Sequence, residues 1–228
     1  LKSLGLNIPF KKLFPIHTGS IPIKTISPMK SGMLLRAVYL NKNYNFSMLL
    51  GTYSLFLNLF LNLLAVFSFI LVTSFFLRTN SYRFVYSGLL VFSFCLAFFW
   101  ILKRENVSKI IIGYLNLWGN NFALSLKNFY ESVITITVWK MIIPFLYAVL
   151  LIFFELLNFK VLGNALGLTI PFLTVLLFAS LTILISNLPI TINGLGTREA
   201  AVCFFFSAYG SSEKLLGFGI TVSLVEYF

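Results

Sequence analysis

The chain has 228 residues, of which 59% are hydrophobic and only 10% charged, and this is more apolar surface than one soluble domain of that length buries. Seventeen Lys and Arg against six acidic residues give a net charge of +11, but the bases lie between apolar blocks rather than along one stripe, so a nucleic-acid partner is disfavoured. With no Asp, one His and two Cys, the chain is poorly supplied for carboxylate-pair hydrolysis, metal binding or disulfides, so we expect no enzyme activity, cofactor or metal site.

Apolar blocks recur along the chain and predict an all-α fold, a polytopic integral membrane helical bundle. The predicted helices are, in chain order, residues 48–77, 84–102, 138–159, 166–188, 198–209 and 215–228. The first four are long enough to span a bilayer, and the last two are expected as short or partial helices. We therefore expect residues 1–228 to form a single membrane domain that is incomplete at both ends.

The basic residues alternate in number from one predicted loop to the next. Residues 1–43 and 103–131 carry seven and four bases, whereas residues 78–83 and 159–165 carry two and one. Because cytoplasmic loops are enriched in Lys and Arg, we expect the first two segments to face the cytoplasm, with the protein in the plasma membrane. Residues 103–131 suit either a helix in the headgroup layer or a loop helix packed on its neighbours.

Two short stretches share a pattern in which Pro is followed by Gly, and an Arg stands four residues after the Gly. They are Pro28, Gly32 and Arg36 in the first stretch, and Pro189, Gly194 and Arg198 in the second. Because Pro and Gly interrupt helices, two such stretches point to a transporter-type site built from broken or re-entrant helices. A pattern this short also recurs by chance. For Arg36, a ligand contact and an extended side chain at the membrane interface are equally compatible with the sequence.

The second stretch is the more informative one. Gly194 and Gly196 free the backbone, Thr197 can cap a helix, and Glu199 suits the positive end of that helix. Backbone N–H groups beside the guanidinium of Arg198 predict an anion site, and the abundant anion in a bilayer is a lipid phosphate. The alternatives are that Arg198 pairs with a carboxylate elsewhere or extends to the interface.

A polar stripe runs along the first span, where Ser54, Asn58 and Asn62 recur every four residues and so share one helical face. Such a stripe either joins neighbouring helices by hydrogen bonds or lines a polar path for a lipid headgroup.

Residues 188–201 resemble the signature Leu-Pro-x-x-x-Gly-Gly-Leu-Gly-x-Arg-Glu-Ala of the lysylphosphatidylglycerol synthetase transmembrane-region family, the flippase-like integral membrane proteins. Only Asn193 departs from it, at the first Gly of the pair. Residues 27–40 are similar to the family's Pro-Gly-x-x-Gly-Glu/Asp-x-x-Arg-Ala element, with Met29 at a Gly position and Met33 at the acidic one. The register covers the whole chain.

The first span also resembles a family element, Ser-x-x-x-Glu-Arg-x-x-Asp-Leu-x-Ala, over residues 54–65. Asn58 and Asn62 stand at its two carboxylate positions and Leu59 at its Arg. The loss of these charges indicates a divergent member with a different cargo or coupling.

The resemblance implies a module that moves a lipid headgroup between leaflets, with membrane lipids as partners. In the best-known members the cargo is an aminoacylated phosphatidylglycerol, and in others a polyprenol-linked sugar or another lipid. The predicted headgroup-binding residues are Pro28, Gly32, Arg36, Asn58, Asn62, Pro189, Gly194, Gly196, Arg198 and Glu199. The alternative function is a non-transporting scaffold subunit that docks a separate lipid-modifying transferase; an intramembrane transferase would need acid–base groups that the sequence barely offers.

Overall fold

The computed structural model describes residues 9–20, 22, 34–44, 48–77, 139–188, 191 and 194–227. This part of the chain is helical and contains no β-strand, which confirms the all-α prediction for it. Its helices are α1 (Phe10–Gly19), α2 (Leu34–Tyr44), α3 (Met48–Phe76), α4 (Trp139–Ala165), α5 (Phe172–Ser186), α6 (Thr197–Phe205) and α7 (Ser212–Tyr227), with a 3₁₀ turn at Ser207–Tyr209. The predicted span 84–102, the basic segment 103–131, Pro28, Gly32 and Pro189 lie outside the described residues.

Two helices are long and apolar enough to cross a membrane. They are Leu50–Phe76, with 27 residues, and Met141–Ala165, with 25 residues. At 1.5 Å per residue both exceed the roughly 30 Å of a bilayer's hydrocarbon core. Only 28% and 22% of their most apolar windows are buried, whereas the core helix of a soluble protein is mostly covered. Large apolar side chains on their surfaces, such as Phe56 and Ile143, therefore face outward as lipid-facing residues do.

The third predicted span is longer than expected, because α4 continues past residue 159 to Ala165. Lys160 directly follows the expected end at residue 159. Its Nζ donates a hydrogen bond to the carbonyl oxygen of Ile170, at 2.5 Å. The helix ends at Ala165, and the turn after it contains Gly167, whose φ of +73° suits a residue without a side chain; the N–H of Leu168 donates back to the Gly163 carbonyl at 2.9 Å.

Helix α5 is shorter than the predicted block 166–188. It begins after Pro171, which has an extended ψ of 142°, and it ends at Ser186. Its 15 residues cover about 22 Å, which is less than the hydrocarbon thickness. Most of its side chains are buried, since it packs against α3, α4 and α6. This helix is therefore the centre of the described bundle rather than a lipid-facing element.

An aromatic cluster joins the C-terminal helices to α4 and α5. Phe159, Phe206 and Phe218 are completely buried, and Phe218 meets the other two edge to face at ring-centroid distances of 5.9 and 5.8 Å. Phe178 of α5 meets Phe206 in the same manner at 5.6 Å. Each such pair contributes about 0.5–1.5 kcal/mol beyond the area that it buries. The cluster fixes the α6–α7 pair against the bundle. It thereby also positions Arg198, which lies in the first turn of α6.

Candidate functional site

A cavity of about 480 Å³ lies where α1, α2 and α3 meet the start of α4. Its lining residues are Leu13, Phe14, Ile16, Arg36, Ala37, Leu40, Gly51, Ser54, Leu55, Asn58 and Tyr147. Most of the wall is apolar, and the polar groups come from a few convergent side chains, as in typical ligand sites of roughly 300–1,000 Å³. The structure thus brings together two of the predicted site residues, Arg36 and Asn58, from different helices.

Arg36 supplies the positive charge of the cavity. Its Nε donates a hydrogen bond to Oγ of the buried Ser20, at the end of α1, at 2.5 Å. This bond fixes the guanidinium while using one of its five N–H donors. The half-buried position lowers the pKa of Arg36 through desolvation, but an arginine remains charged at neutral pH. The cavity therefore presents a positioned cation.

The polar stripe of α3 supplies the neutral polar groups. Ser54 donates its hydroxyl hydrogen to the carbonyl oxygen of Gly51 at 2.7 Å, so that its oxygen remains as an acceptor. Asn58, one turn further along, is exposed and offers both a donor and an acceptor. Asn62, another turn on, is half-buried and is not among the lining residues.

Close packing of α2 on α3 sets the position of Arg36. A Cβ atom added at Gly51 would lie 2.8 Å from the Cβ of Ala37, the residue that follows Arg36. We expect Gly51→Ala to lower the free energy of unfolding by about 1–3 kcal/mol, because one helix must shift to make room. Gly217→Ala in α7 is the control, since a Cβ there meets no atom within 4 Å. Equal stabilities of the two variants in detergent unfolding would contradict the packing.

The second predicted element forms a tight turn before α6. Gly194 and Gly196 both have a φ of +84°. The N-cap of α6 is Gly196, and Thr197 is the first helical residue, so the expectation that Thr197 is the cap is wrong. Its hydroxyl instead donates to the Gly194 carbonyl at 3.0 Å and lies 3.1 Å from the hydroxyl of Thr191. The turn is therefore closed by its own side chains.

Arg198 and Glu199 are buried in a polar network between α6 and α7. Arg198 is 3% exposed, and its Nη2 lies 2.5 Å from Oε2 of Glu226, while its Nη1 donates to Oγ of Ser223 at 3.4 Å. Ser223 in turn donates to Oε1 of Glu199 at 2.5 Å, and the other carboxylate oxygen accepts from the Gly196 N–H at 2.6 Å. Both parts of the predicted anion site, the turn and the guanidinium, are thus bound to carboxylates of the protein.

Sequence reasoning missed Ser223 and Glu226, which complete this network. Two signals were present in the sequence: Glu226 is the only charged residue in the apolar run 215–228, and Ser223 lies three residues before it, on the same helical face. Ser20, which holds Arg36, was missed as well. No local pattern marks it, because its role depends on the packing of α1 against α2.

The two long apolar helices, which both contribute to the cavity around Arg36, define a helical membrane protein. The family model described as the lysylphosphatidylglycerol synthase TM region matches residues 1–228, the whole chain. The chain belongs to this family, which confirms the resemblance found in its motifs and makes it a membrane protein of the lysylphosphatidylglycerol synthase or flippase type. Comparisons with curated proteins and with solved structures give no match.

Proposed function

We propose that this protein moves a phospholipid headgroup between the leaflets of the plasma membrane, and that the cavity around Arg36 binds the headgroup. The observation that carries the proposal is the joining of Arg36, Ser54 and Asn58 in one cavity with otherwise apolar walls. A guanidinium binds phosphate oxygens through two parallel N–H donors, and it does so most strongly where water is scarce. The apolar walls suit the glycerol and acyl portions of a lipid.

The place of the cavity along α3 fits entry of a headgroup from one leaflet. Asn58 lies ten residues after Met48, the first residue of α3, which is about 15 Å along the helix axis. With residues 1–43 on the cytoplasmic side, the cavity extends from the cytoplasmic headgroup layer towards the middle of the membrane. Asn62 then supplies the next polar contact for a headgroup on its way across a polytopic bundle with interrupted helices.

The polar groups around Arg198 differ from those of the Arg36 cavity, because they are already bound to carboxylates of the protein. Glu226 occupies the guanidinium and Glu199 occupies the Gly196 N–H, so a lipid phosphate reaches Arg198 only by displacing Glu226. Headgroup binding by Gly194, Gly196, Arg198 and Glu199 stays a prediction. Movement needs no chemistry on the lipid, so we propose a transporter rather than an enzyme, with a separate lipid-modifying transferase as its proposed partner in the same membrane.

The test measures the rate of lipid movement in proteoliposomes at increasing contents of tail-labelled phosphatidylglycerol. The dependence of the rate on this content gives the apparent affinity for the lipid. We expect Arg36→Gln to lower the apparent affinity for this lipid on the order of 30-fold, which corresponds to the loss of charge-assisted hydrogen bonds worth about 2 kcal/mol. Lys42→Gln is the control, because it removes a charge from an exposed position of the same helix outside the cavity.

Two outcomes would count against the proposal. Equal effects of Arg36→Gln and Lys42→Gln would mean that net charge, and not the cavity, governs lipid movement. If the folded protein moved no lipid but bound a lipid-modifying transferase, it would act as the scaffold subunit instead.

A further inference from the structure

We infer that the cavity selects a lipid with a single negative charge on a phosphodiester and an uncharged, hydroxyl-bearing headgroup, and that it rejects headgroups that carry an ammonium group. The inference rests on the proposed function, since it names the lipid class for the same cavity. It comes from the charges and hydrogen-bonding groups that line the cavity.

The described lining residues give the cavity a charge of +1. Arg36 is its only charged lining residue within the described part of the chain, and no lining residue there is a carboxylate. The described acidic residues, Glu155, Glu199, Glu213 and Glu226, all lie outside the lining. In an apolar cavity a phosphodiester with one negative charge balances Arg36, whereas an added ammonium group meets a like charge and no carboxylate among the described lining residues.

The neutral groups specify the rest of the headgroup. The oxygen of Ser54 acts as an acceptor because its hydrogen is donated to Gly51, and the amide of Asn58 is both donor and acceptor. A headgroup hydroxyl matches both of them, since it donates to one and accepts from the other. Tyr147 of α4 also lines the cavity. These groups suit a glycerol or sugar-alcohol headgroup.

The experiment compares movement of tail-labelled phosphatidylglycerol with that of its lysyl ester in proteoliposomes of the unmodified protein. We expect at least tenfold faster movement of phosphatidylglycerol. Equal or faster movement of the lysyl ester, still lost in Arg36→Gln, would overturn the lipid class while the proposed function stands. Movement of neither lipid by folded protein would overturn the proposed function itself.

One variant should weaken the selectivity for phosphatidylglycerol. Asn58→Asp places a carboxylate in the cavity, and we expect it to reduce the preference for phosphatidylglycerol at least tenfold. Asn43→Asp makes the same change at an exposed position of α2 outside the lining, and should leave the preference unchanged. An unchanged preference in folded Asn58→Asp would overturn the inference, as would equal shifts in both variants.

A final arm separates a lipid from a free phosphate. Inorganic phosphate has the same anionic oxygens but neither the hydroxyls nor the acyl chains. We expect no Arg36-dependent flux of inorganic phosphate into the vesicles. Phosphate flux in the absence of lipid movement would assign the cavity to a soluble anion and overturn the inference.

Discussion

Replacing Arg198 by Met is expected to lower the free energy of unfolding by about 3 kcal/mol or more. The substitution keeps most of the side-chain volume but removes the cation that pairs with Glu226 and that is linked through Ser223 to the buried carboxylate of Glu199. Glu226 is partly exposed and screened by solvent, but Glu199 is only 8% exposed, and leaving a buried charge without its counter-ion costs on the order of 3–5 kcal/mol. The measurement is equilibrium unfolding in mixed micelles.

The control for this prediction is Glu226→Gln. The Glu226 side chain is 39% exposed, so its own pairing energy is reduced by solvent. In this variant Gln keeps one acceptor for the guanidinium, and Glu199 stays linked to Arg198 through Ser223 as its counter-ion. We expect a loss of about 1 kcal/mol or less. If both variants lost less than that, the network would not be what holds α6 to α7.

The Arg198→Met variant also separates the two roles that the sequence left open for Arg198. A protein that loses stability but moves lipid at the normal rate per folded molecule uses Arg198 for structure. A protein that keeps its stability and loses lipid movement uses it for the headgroup. The structure provides the geometry for the first outcome, since a Cβ at Gly219 would lie 3.0 Å from the Cα of Glu199, and α6 and α7 approach closely beside the network.

The cavity illustrates how much of a site the sequence predicts. The four-residue spacing of Ser54 and Asn58 is local information, and it correctly predicted a shared helical face. The meeting of that face with Arg36 is not local. It depends on the contact of Gly51 with Ala37, which lets α2 lie directly on α3, and on Ser20, which orients the guanidinium.

The Arg198 network likewise combines local features, which the sequence predicted, with a partner that is distant in the sequence. The sequence predicted the break at Gly194 and the helix that follows it, because glycine, capping and helix-end preferences act within a few residues. It left open which carboxylate pairs with Arg198, since Glu226 is 28 residues further along the chain and is brought back by the pairing of α6 with α7. That pairing rests on the buried rings of Phe206 and Phe218, which in the sequence are ordinary members of an apolar run.

The turn before α6 gives the last prediction, a graded series of Gly→Ala variants. At Gly194 the φ of +84° disfavours any side chain, and an added Cβ would also lie 2.9 Å from the carbonyl oxygen of Ser186. At Gly196 the backbone, with φ +84° and ψ −47°, is equally unfavourable, but a Cβ meets no atom within 4 Å. Gly217 lies in α7, with open space and no positive φ.

We therefore expect Gly194→Ala to cost about 3 kcal/mol, from conformational strain and crowding together. Gly196→Ala should cost about 1–2 kcal/mol from strain alone, and Gly217→Ala should be neutral or stabilise by up to about 1 kcal/mol. Unfolding of the three variants in the same detergent measures the order. If Gly196→Ala were as stable as Gly217→Ala, the turn would have a different backbone conformation. If Gly194→Ala cost no more than Gly196→Ala, the turn would not pack against the end of α5, and the position of Arg198 would have to be set from α7 alone.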